Sequence, residues 1–472
     1  MNLRYFLKRH RIKIALGAIL LFGLILRLWK LGVGAMWVDE TISALVGRTI
    51  LETGVPVFSS GWFYGRALVF HYLMALFLVF FNNDFGARLV SVVFGLGTVG
   101  LAYFVGREFD RKDKWLGIVS ALFTAVLFLE VYYSRQARFY QMFQFMFFLT
   151  LFLLYKLEVS KNKKEVYAWL SGVSFLVLVN TQIAGIVVAP LVLFVLWKGR
   201  MSWKFYVIPI LTVLYSVSGI LDVSFGGDSA GGHVEEYTGE LYSKMRAFLL
   251  ISIIGIPLAF IRNKKLLFFI LAPSIVLFLG LFYVKVYAMR YVYFLVLPVI
   301  LFFSLAIAEL RKLSKIVFVL VVLFALVYPS NLFFEYSYLT QLKPETGVVY
   351  SSTEPVIDYK GLSEDTKTLI RGSELVTLWT SGVSWYLKKP EYFIPFSLNG
   401  LKTGYEVHYG VDGYTGARIY DNSSIKGEFV YLEDSFGYGK LNDEERGKVD
   451  LLREKCEFVE ERLNLGVYLC ER

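Results

Sequence analysis

Apolar runs of about 15–20 residues recur along this chain from Ile14 to Phe334, with charged residues gathered mainly in the gaps between them. Each run has about the length that crosses a bilayer core as a helix. Composition points the same way: 56% of the 472 residues are hydrophobic and 19% charged, with mean hydropathy +0.55. Soluble domains hold about 45–50% apolar and about 25% charged residues. A cytosolic enzyme, a disordered protein and a secreted disulfide scaffold are thereby excluded, and a polytopic membrane protein is implied.

The net charge of +10 divides unevenly. Residues 335–472 carry 16 basic and 23 acidic side chains, a net of −7, while the preceding residues carry 33 against 16, a net of +17. A basic membrane part and an acidic tail indicate different surroundings. Nucleic acid is not the implied partner, because the aromatics lie inside apolar runs and do not alternate with basic residues on a solvated face.

The opening MNLRYFLKRHRIK precedes IALGAILLFGLIL, after which come Arg27, Trp29 and Lys30 with no small-residue cleavage site. This reads as an uncleaved first span with a cytoplasmic N-terminus. Eleven further apolar segments run at 66–81, 87–105, 115–133, 139–156, 167–180, 183–197, 204–221, 245–261, 266–284, 291–309 and 315–333. Basic clusters sit at Arg107/Arg111/Lys112/Lys114, Lys156/Lys161/Lys163/Lys164, Lys198/Arg200/Lys204, Arg262/Lys264/Lys265 and Arg311/Lys312/Lys315. If all of them face the cytoplasm, segment 66–81, which is short and contains His71, lies in the interface. A fully inserted 66–81 is the alternative, and it puts several of these clusters on the opposite side. The expected fold class is therefore an all-α polytopic membrane domain of about 11 transmembrane helices, followed by a small α/β extracytoplasmic domain. The corresponding domains are 1–333, including outer loop 31–86, and 334–472. The protein is expected in the cell membrane, multi-pass, with its C-terminal domain outside.

In the C-terminal part, strand-like ELVTLWT and EFVYLED alternate with helix-like GVSWYLKK and NDEERGKVDLLREK, then EFVEERL and GVYLCER. Such alternation suggests an α/β domain. Cys456 and Cys470, the only cysteines, would face each other if the chain reverses near Leu463. A disulfide and two free thiols both remain open. Asn422-Ser423-Ser424 is a sequon, a short signal by itself.

Four outer stretches are candidates for chemistry: loop 31–86, turn 134–140, the Gly-rich loop 222–244 and turn 285–291. The first contains GAMWVDETISALVGRTILETG. One reading makes Asp39 the N-cap of a helix with Ile42, Leu45, Val46 and Ile50 on its apolar face and Gly54 as its stop. The other makes a carboxylate at the membrane surface a general base, with at most one of Asp39 and Glu40 facing a substrate, because adjacent helical residues point different ways. Arg135 and Arg138 occupy the turn SRQARFY. They read as snorkelling anchors or as donors to a phosphate at the bilayer surface. Glu130, about one turn inside, would pair with one of them, and Gln141 and Gln144 suit helix–helix hydrogen bonds. Arg66 opens the interfacial segment, and Lys285, Arg290 and Tyr291 form a third basic turn. Should these loops converge, they make a cationic patch beside the acidic pair. The four histidines, His10, His71, His233 and His408, lack metal-ligand spacing, and no nucleotide-binding glycine pattern follows a strand.

The order of these motifs carries a resemblance. One span, an outer Asp-Glu pair and an interfacial helix precede ARLVSVVFGLGTVGLAYFVGREF, YYSRQARFYQ and the later MRYVYFLVLP. The chain thereby resembles the integral-membrane GT-C glycosyltransferases, in particular the protein O-mannosyltransferase and aminoarabinose lipid A transferase branch. The resemblance spans most of residues 1–333 and is densest from Trp37 to Leu153. It implies a GT-C-like fold and an enzyme that moves a sugar from a polyprenyl-phosphate-linked donor to an extracytoplasmic protein, lipid or glycan acceptor. It also implies Asp39 as the catalytic base with Glu40 beside it. Arg66 takes the place of a carrier-contacting lysine, Arg135 and Arg138 match an SRxAR turn, and Tyr291 lines the lipid-phosphate site before Pro298. Lys285 and Arg290 extend that expected cationic patch. Oligosaccharyltransferases of the class use extra acids in the second outer loop for a divalent metal. Arginines stand there in this chain, so no catalytic metal and no other cofactor are expected. The rival expectations are a transporter or flippase for a lipid-linked anion and a non-catalytic membrane scaffold.

Overall fold

The computed structural model describes residues 3–111, 114–221, 234–281, 288–327, 356–395, 407–408, 411–421, 425 and 427–471. Lys285, the Gly-rich stretch 222–233 and the sequon 422–424 lie outside the described residues. Two compact units divide the chain: residues 1–29, 91–135 and 139–339 form one, and 30–90, 136–138 and 340–472 the other.

The first unit is helical, and the described parts of every apolar segment except 66–81 form helix in it. Its helices are α1 (Leu3–Leu28), the larger part of α4 (Asp84–Phe109), α5 (Trp115–Val126), α6 (Phe128–Tyr133), α7 (Tyr140–Val159), α8 (Lys164–Thr181), α9 (Ala189–Lys198), α10 (Val207–Leu221), α11 (Val234–Gly280), α12 (Val296–Leu313) and α13 (Lys315–Val327). Four helical segments among the described residues are long and apolar enough to cross a membrane: Asp84–Phe109, Tyr140–Val159, Leu241–Gly280 and Tyr293–Leu313. Helix α11 leaves helical geometry at Met245 and Asn263, and the second break falls at the basic gap between segments 245–261 and 266–284. Helix α12 packs on α5 and α11, α7 on α8, and α1 on α5. Gly255 approaches the Phe302 carbonyl with no room for a Cβ, a small residue that lets two apolar helices close up.

Segment 115–133 is not one helix. It breaks at Leu127 (φ −60°, ψ 132°) into α5 and α6. A break strands carbonyls at the end of the first helix. Arg27, fully buried, answers them by donating to Ala125 O at 2.8 Å and Thr124 O at 3.2 Å.

At one end of this unit, charged residues tie helix termini together. Lys156 Nζ reaches Glu108 Oε1 at 2.7 Å, Lys198 Nζ reaches Glu158 Oε1 at 2.7 Å, and Arg262 bridges Asp110 and Glu309. Asn263, at the break, donates to Glu108 O at 3.0 Å and Tyr155 Oη at 2.9 Å.

The second unit contains α2 (Val38–Thr53), α3 (Leu68–Phe80), the first turns of α4, and an α/β fold formed by the C-terminal residues. The latter comprises α14 (Glu364–Gly372), β1 (Glu374–Thr377), α15 (Thr380–Tyr386), β2 (Tyr392–Phe393), β3 (Val407–His408), β4 (Val411–Asp412), β5 (Arg418–Ile419), β6 (Phe429–Asp434), α16 (Ser435–Tyr438), α17 (Asp443–Arg453), β7 (Cys456–Arg462) and β8 (Leu465–Cys470). The strand order is β3-β4-β5-β2-β1-β6-β8-β7. β5, β2, β1 and β6 run parallel in the centre, and antiparallel pairs close both edges. Leu375, Val376, Val430, Leu465 and Val467 are completely buried, as central strands require. The chain reverses at Leu463 in a left-handed conformation (φ 53°), which sets Cys456 opposite Cys470 in a disulfide.

Candidate functional site

The Asp39-Glu40 pair sits in the first turn of α2, within the second unit. Asp39 is not the N-cap. Trp37 holds that position in extended conformation, and its N–H is accepted by Glu40 Oε2 at 3.3 Å. A glutamate three residues into a helix has the reach to return to its start, so the second carboxylate does the capping and the first is left for other work. The apolar face is as expected: Ile42, Leu45, Val46 and Ile50 are buried, and Gly54 ends the helix at φ 80°.

Glu40 is saturated. Its carboxylate meets Arg88 Nε at 2.9 Å and Nη2 at 3.0 Å, and it also accepts the Ala137 N–H at 2.6 Å. Arg88 in turn donates to the carbonyls of Leu31 (2.8 Å), Gly34 (3.0 Å) and Ala35 (3.2 Å). Both side chains are essentially sealed from solvent, at 2% and 1% exposure. The planar fork of an arginine suits this bidentate clamp. Glu40 is thus an anchor for the loop and helix that carry Asp39, and has no capacity left for an acceptor proton. Arg88 does not stand out in the sequence, because it sits inside an apolar run. The only available signal was that position itself, a charge within a would-be span that demands a partner.

Asp39 differs from its neighbour in exposure, with 27% of its side chain accessible. Its Oδ2 lies 3.2 Å from Arg138 Nη2, and no hydrogen bond to Oδ1 is seen among the described residues. Arg138 also donates to the Asp39 carbonyl at 3.1 Å and to Ser43 Oγ at 2.8 Å. The Arg138 side chain is largely buried and fixed against α2, so it orients the carboxylate while remaining a cation beside it.

Arg66 belongs to the same unit and its side chain is exposed. Its backbone is firmly placed. His71 Nδ1 bonds the Arg66 carbonyl at 3.0 Å, and Ala67 takes the left-handed conformation that starts α3. Upstream, Phe58, Trp62 and Tyr64 pack with Tyr414, and Ser59 Oγ donates to Thr415 O at 2.5 Å. On the other side of α3, Asp84 accepts from Lys360 Nζ (3.0 Å), Trp385 Nε1 (2.8 Å) and Tyr386 Oη (2.9 Å). Burial, with the Asp84 carboxylate beside it, pushes the Tyr386 phenol well above its usual range. The outer loop and the α/β fold are therefore stitched together by aromatic packing and by one buried carboxylate.

The remaining expected residues belong to the first unit. Arg135 donates Nη1 to the carbonyls of Leu26 (3.0 Å), Arg27 (3.0 Å) and Trp29 (2.7 Å), securing the end of α1. Arg290 lies over the rings of Tyr140 (6.0 Å) and Tyr291 (5.4 Å). Glu130 pairs with neither arginine of the turn. It accepts from Gln144 Nε2 at 2.8 Å and lies 2.9 Å from Tyr293 Oη, which is also 2.6 Å from Gln141 Oε1. Gln141 reaches Thr98 Oγ1 at 2.9 Å, so the two glutamines do join helices by hydrogen bonds. Among the described residues no group of three or more His, Cys, Asp or Glu side chains is placed to hold a metal ion.

No family model matches this chain, and no curated protein is similar to it in sequence. Solved structures are similar in fold. The archaeal oligosaccharyltransferase AglB from Archaeoglobus fulgidus, in complex with an inhibitory peptide and a dolichol-phosphate, superposes with a TM-score of 0.59 at 12% identity, over 98% of this chain and 74% of that one. ArnT from Cupriavidus metallidurans bound to undecaprenyl phosphate superposes with a TM-score of 0.58 at 13% identity, over 96% of this chain and 98% of that one. The protein thus has the membrane fold of GT-C glycosyltransferases, with apolar helices and a C-terminal sheet domain.

Proposed function

We propose that this membrane protein is a glycosyltransferase that moves a sugar from a polyprenyl-phosphate-linked donor to an acceptor outside the cytoplasm. The observation that carries the reading is the contrast within α2: Glu40 locked by Arg88, and Asp39 part-exposed with Arg138 beside one of its carboxylate oxygens. In this reading Asp39 removes the proton from the acceptor hydroxyl, the acceptor oxygen attacks the anomeric carbon, and the carbon–oxygen bond to the phosphate breaks. Cations offset the charge that grows on the departing lipid phosphate. Arg66 and Arg138 are assigned to that task. In-line displacement inverts the anomeric centre. The fold shared with structures solved with dolichol-phosphate and undecaprenyl phosphate supports a lipid-linked donor. The N-terminus is assigned to the cytoplasm and residues 334–472 to the outside, with eleven spans and α3 in the interface.

The test is transfer of radiolabelled sugar from purified lipid donor by the detergent-solubilised chain. Asp39→Asn is expected to abolish transfer while leaving the melting temperature unchanged; full activity would remove Asp39 as the base. Arg138→Ala is expected to raise the donor KM.

One observation favours a second reading. The break at Leu127, together with the buried Glu130–Gln144–Tyr293 cluster, is the kind of interrupted helix that transporters use. A transporter of lipid-linked anions would move donor across liposomes without cleaving it, and Asp39→Asn would leave that movement intact.

A further inference from the structure

The end of the first unit where charged side chains join helix termini also contains a cleft of about 340 Å³ between α9 and the middle of α11. Its walls are Phe194, Phe260, Phe268 and Phe269. Three of these rings are about half exposed or more: Phe194 at 49%, Phe260 at 61% and Phe268 at 57%. Leu191 and Val195 add to the apolar floor, and lysines 198, 264 and 265 with Glu158 complete the lining. Glu158 draws Lys198 to 2.7 Å and Lys265 to 3.6 Å, and Lys264 has no ion pair among the described residues. Three cations against one carboxylate leave the polar edge of this apolar slot with a net charge of +2.

We propose that this cleft binds one anionic phospholipid, with an acyl chain between the phenylalanines and the phosphate at Lys264 and Lys265. Exposed rings beside a cationic rim match both halves of such a molecule. A zwitterionic lipid brings an ammonium that the lysines repel, and a soluble phosphate brings nothing for the rings. Basic pockets between membrane helices on the cytoplasmic side hold acidic headgroups by these same forces. The positive-inside assignment of the Arg262/Lys264/Lys265 cluster places this one in the cytoplasmic leaflet. The site is independent of the transfer reaction, and its residues are all in the first unit.

The full chain, purified in detergent, is titrated with dioleoyl phosphatidylglycerol, dioleoyl phosphatidylcholine or soluble glycerol phosphate, and bound lipid is counted by native mass spectrometry. Wild type is expected to retain phosphatidylglycerol over phosphatidylcholine by roughly thirtyfold, the factor that two lysine contacts with an anionic lipid supply. Lys264→Gln/Lys265→Gln is expected to lose that preference, and Lys161→Gln/Lys163→Gln, equal in charge removed, to keep it. Glycerol phosphate should not bind. Equal retention of both lipids, an unaltered preference in the Lys264/Lys265 variant, or equal loss in the Lys161/Lys163 variant would each overturn the proposal.

Discussion

Replacing Glu40 and Arg88 together by Leu and Met separates an isolated ion pair from an anchor for backbone. For a buried pair that touches only itself, apolar replacement is neutral or stabilising by about 1–4 kcal/mol, since two desolvated charges disappear. Here the pair also serves five backbone groups: the N–H groups of Trp37 and Ala137 and the carbonyls of Leu31, Gly34 and Ala35. At about 1 kcal/mol for each lost hydrogen bond, the double variant forfeits about 5 kcal/mol. Set against the relief of desolvation, the net loss is about 1–4 kcal/mol. Arg88→Met alone is worse. It strands the Glu40 charge at about 3–5 kcal/mol and three carbonyls at about 1 kcal/mol each. Unfolding of the full chain in mixed micelles, titrated with SDS and followed by tryptophan fluorescence, should rank wild type above the double variant and the double variant above Arg88→Met. A double variant as stable as wild type, or a single variant no worse than the double, would refute the anchoring argument.

Burial pushes the Asp434 carboxyl up to about 7, against about 3.9 when unfolded. Between these values the folded state holds a proton that the unfolded state has released, so this contribution to stability falls as pH rises from about 4 to about 7, and levels off above. Asp434→Asn, which keeps an acceptor for the Gly437 N–H, should flatten that slope in melts of the full chain; an unchanged slope would assign it to other groups. Replacing Cys456 and Cys470 by serine opens a hairpin and should cost about 3 kcal/mol, seen as faster proteolysis near residues 456–470 without loss of transfer. Asp84→Ala leaves Lys360, Trp385 and Tyr386 without their shared acceptor, and should lower the melting temperature more than Lys360→Ala does.

The membrane helices were legible because their signal is local: an apolar run must close its own hydrogen bonds. So were β1, β6, β7 and β8, where alternation and flanking turns lie within a few residues, and the stop at Gly54. What sequence could not show was the destination of each cation. Arg135 and Arg138 stand three apart in one short turn, yet the first is committed to carbonyls at the end of α1 and the second to a carboxylate and a hydroxyl on α2. Both destinations are about a hundred residues away in the chain. Residue preference alone offers Asp39 as an N-cap, and tertiary contact decides otherwise: Ala137 and Arg88 hold Glu40 in the capping orientation and Arg138 claims Asp39. The break at Leu127 escaped for the same reason, because the arginine that makes it tolerable comes from α1.

The unequal surroundings of the two carboxylates mean that their order cannot be reversed. Writing Glu-Asp for Asp-Glu would preserve length, charge and hydropathy, and no compositional measure would register it. The shorter acid would then fall one methylene short of a guanidinium that is tethered to three carbonyls and unable to follow. The longer one would project beyond the arginine that aligns its predecessor. A single transposition would unfasten the start of α2 and take the exposed carboxylate away from Arg138 at once.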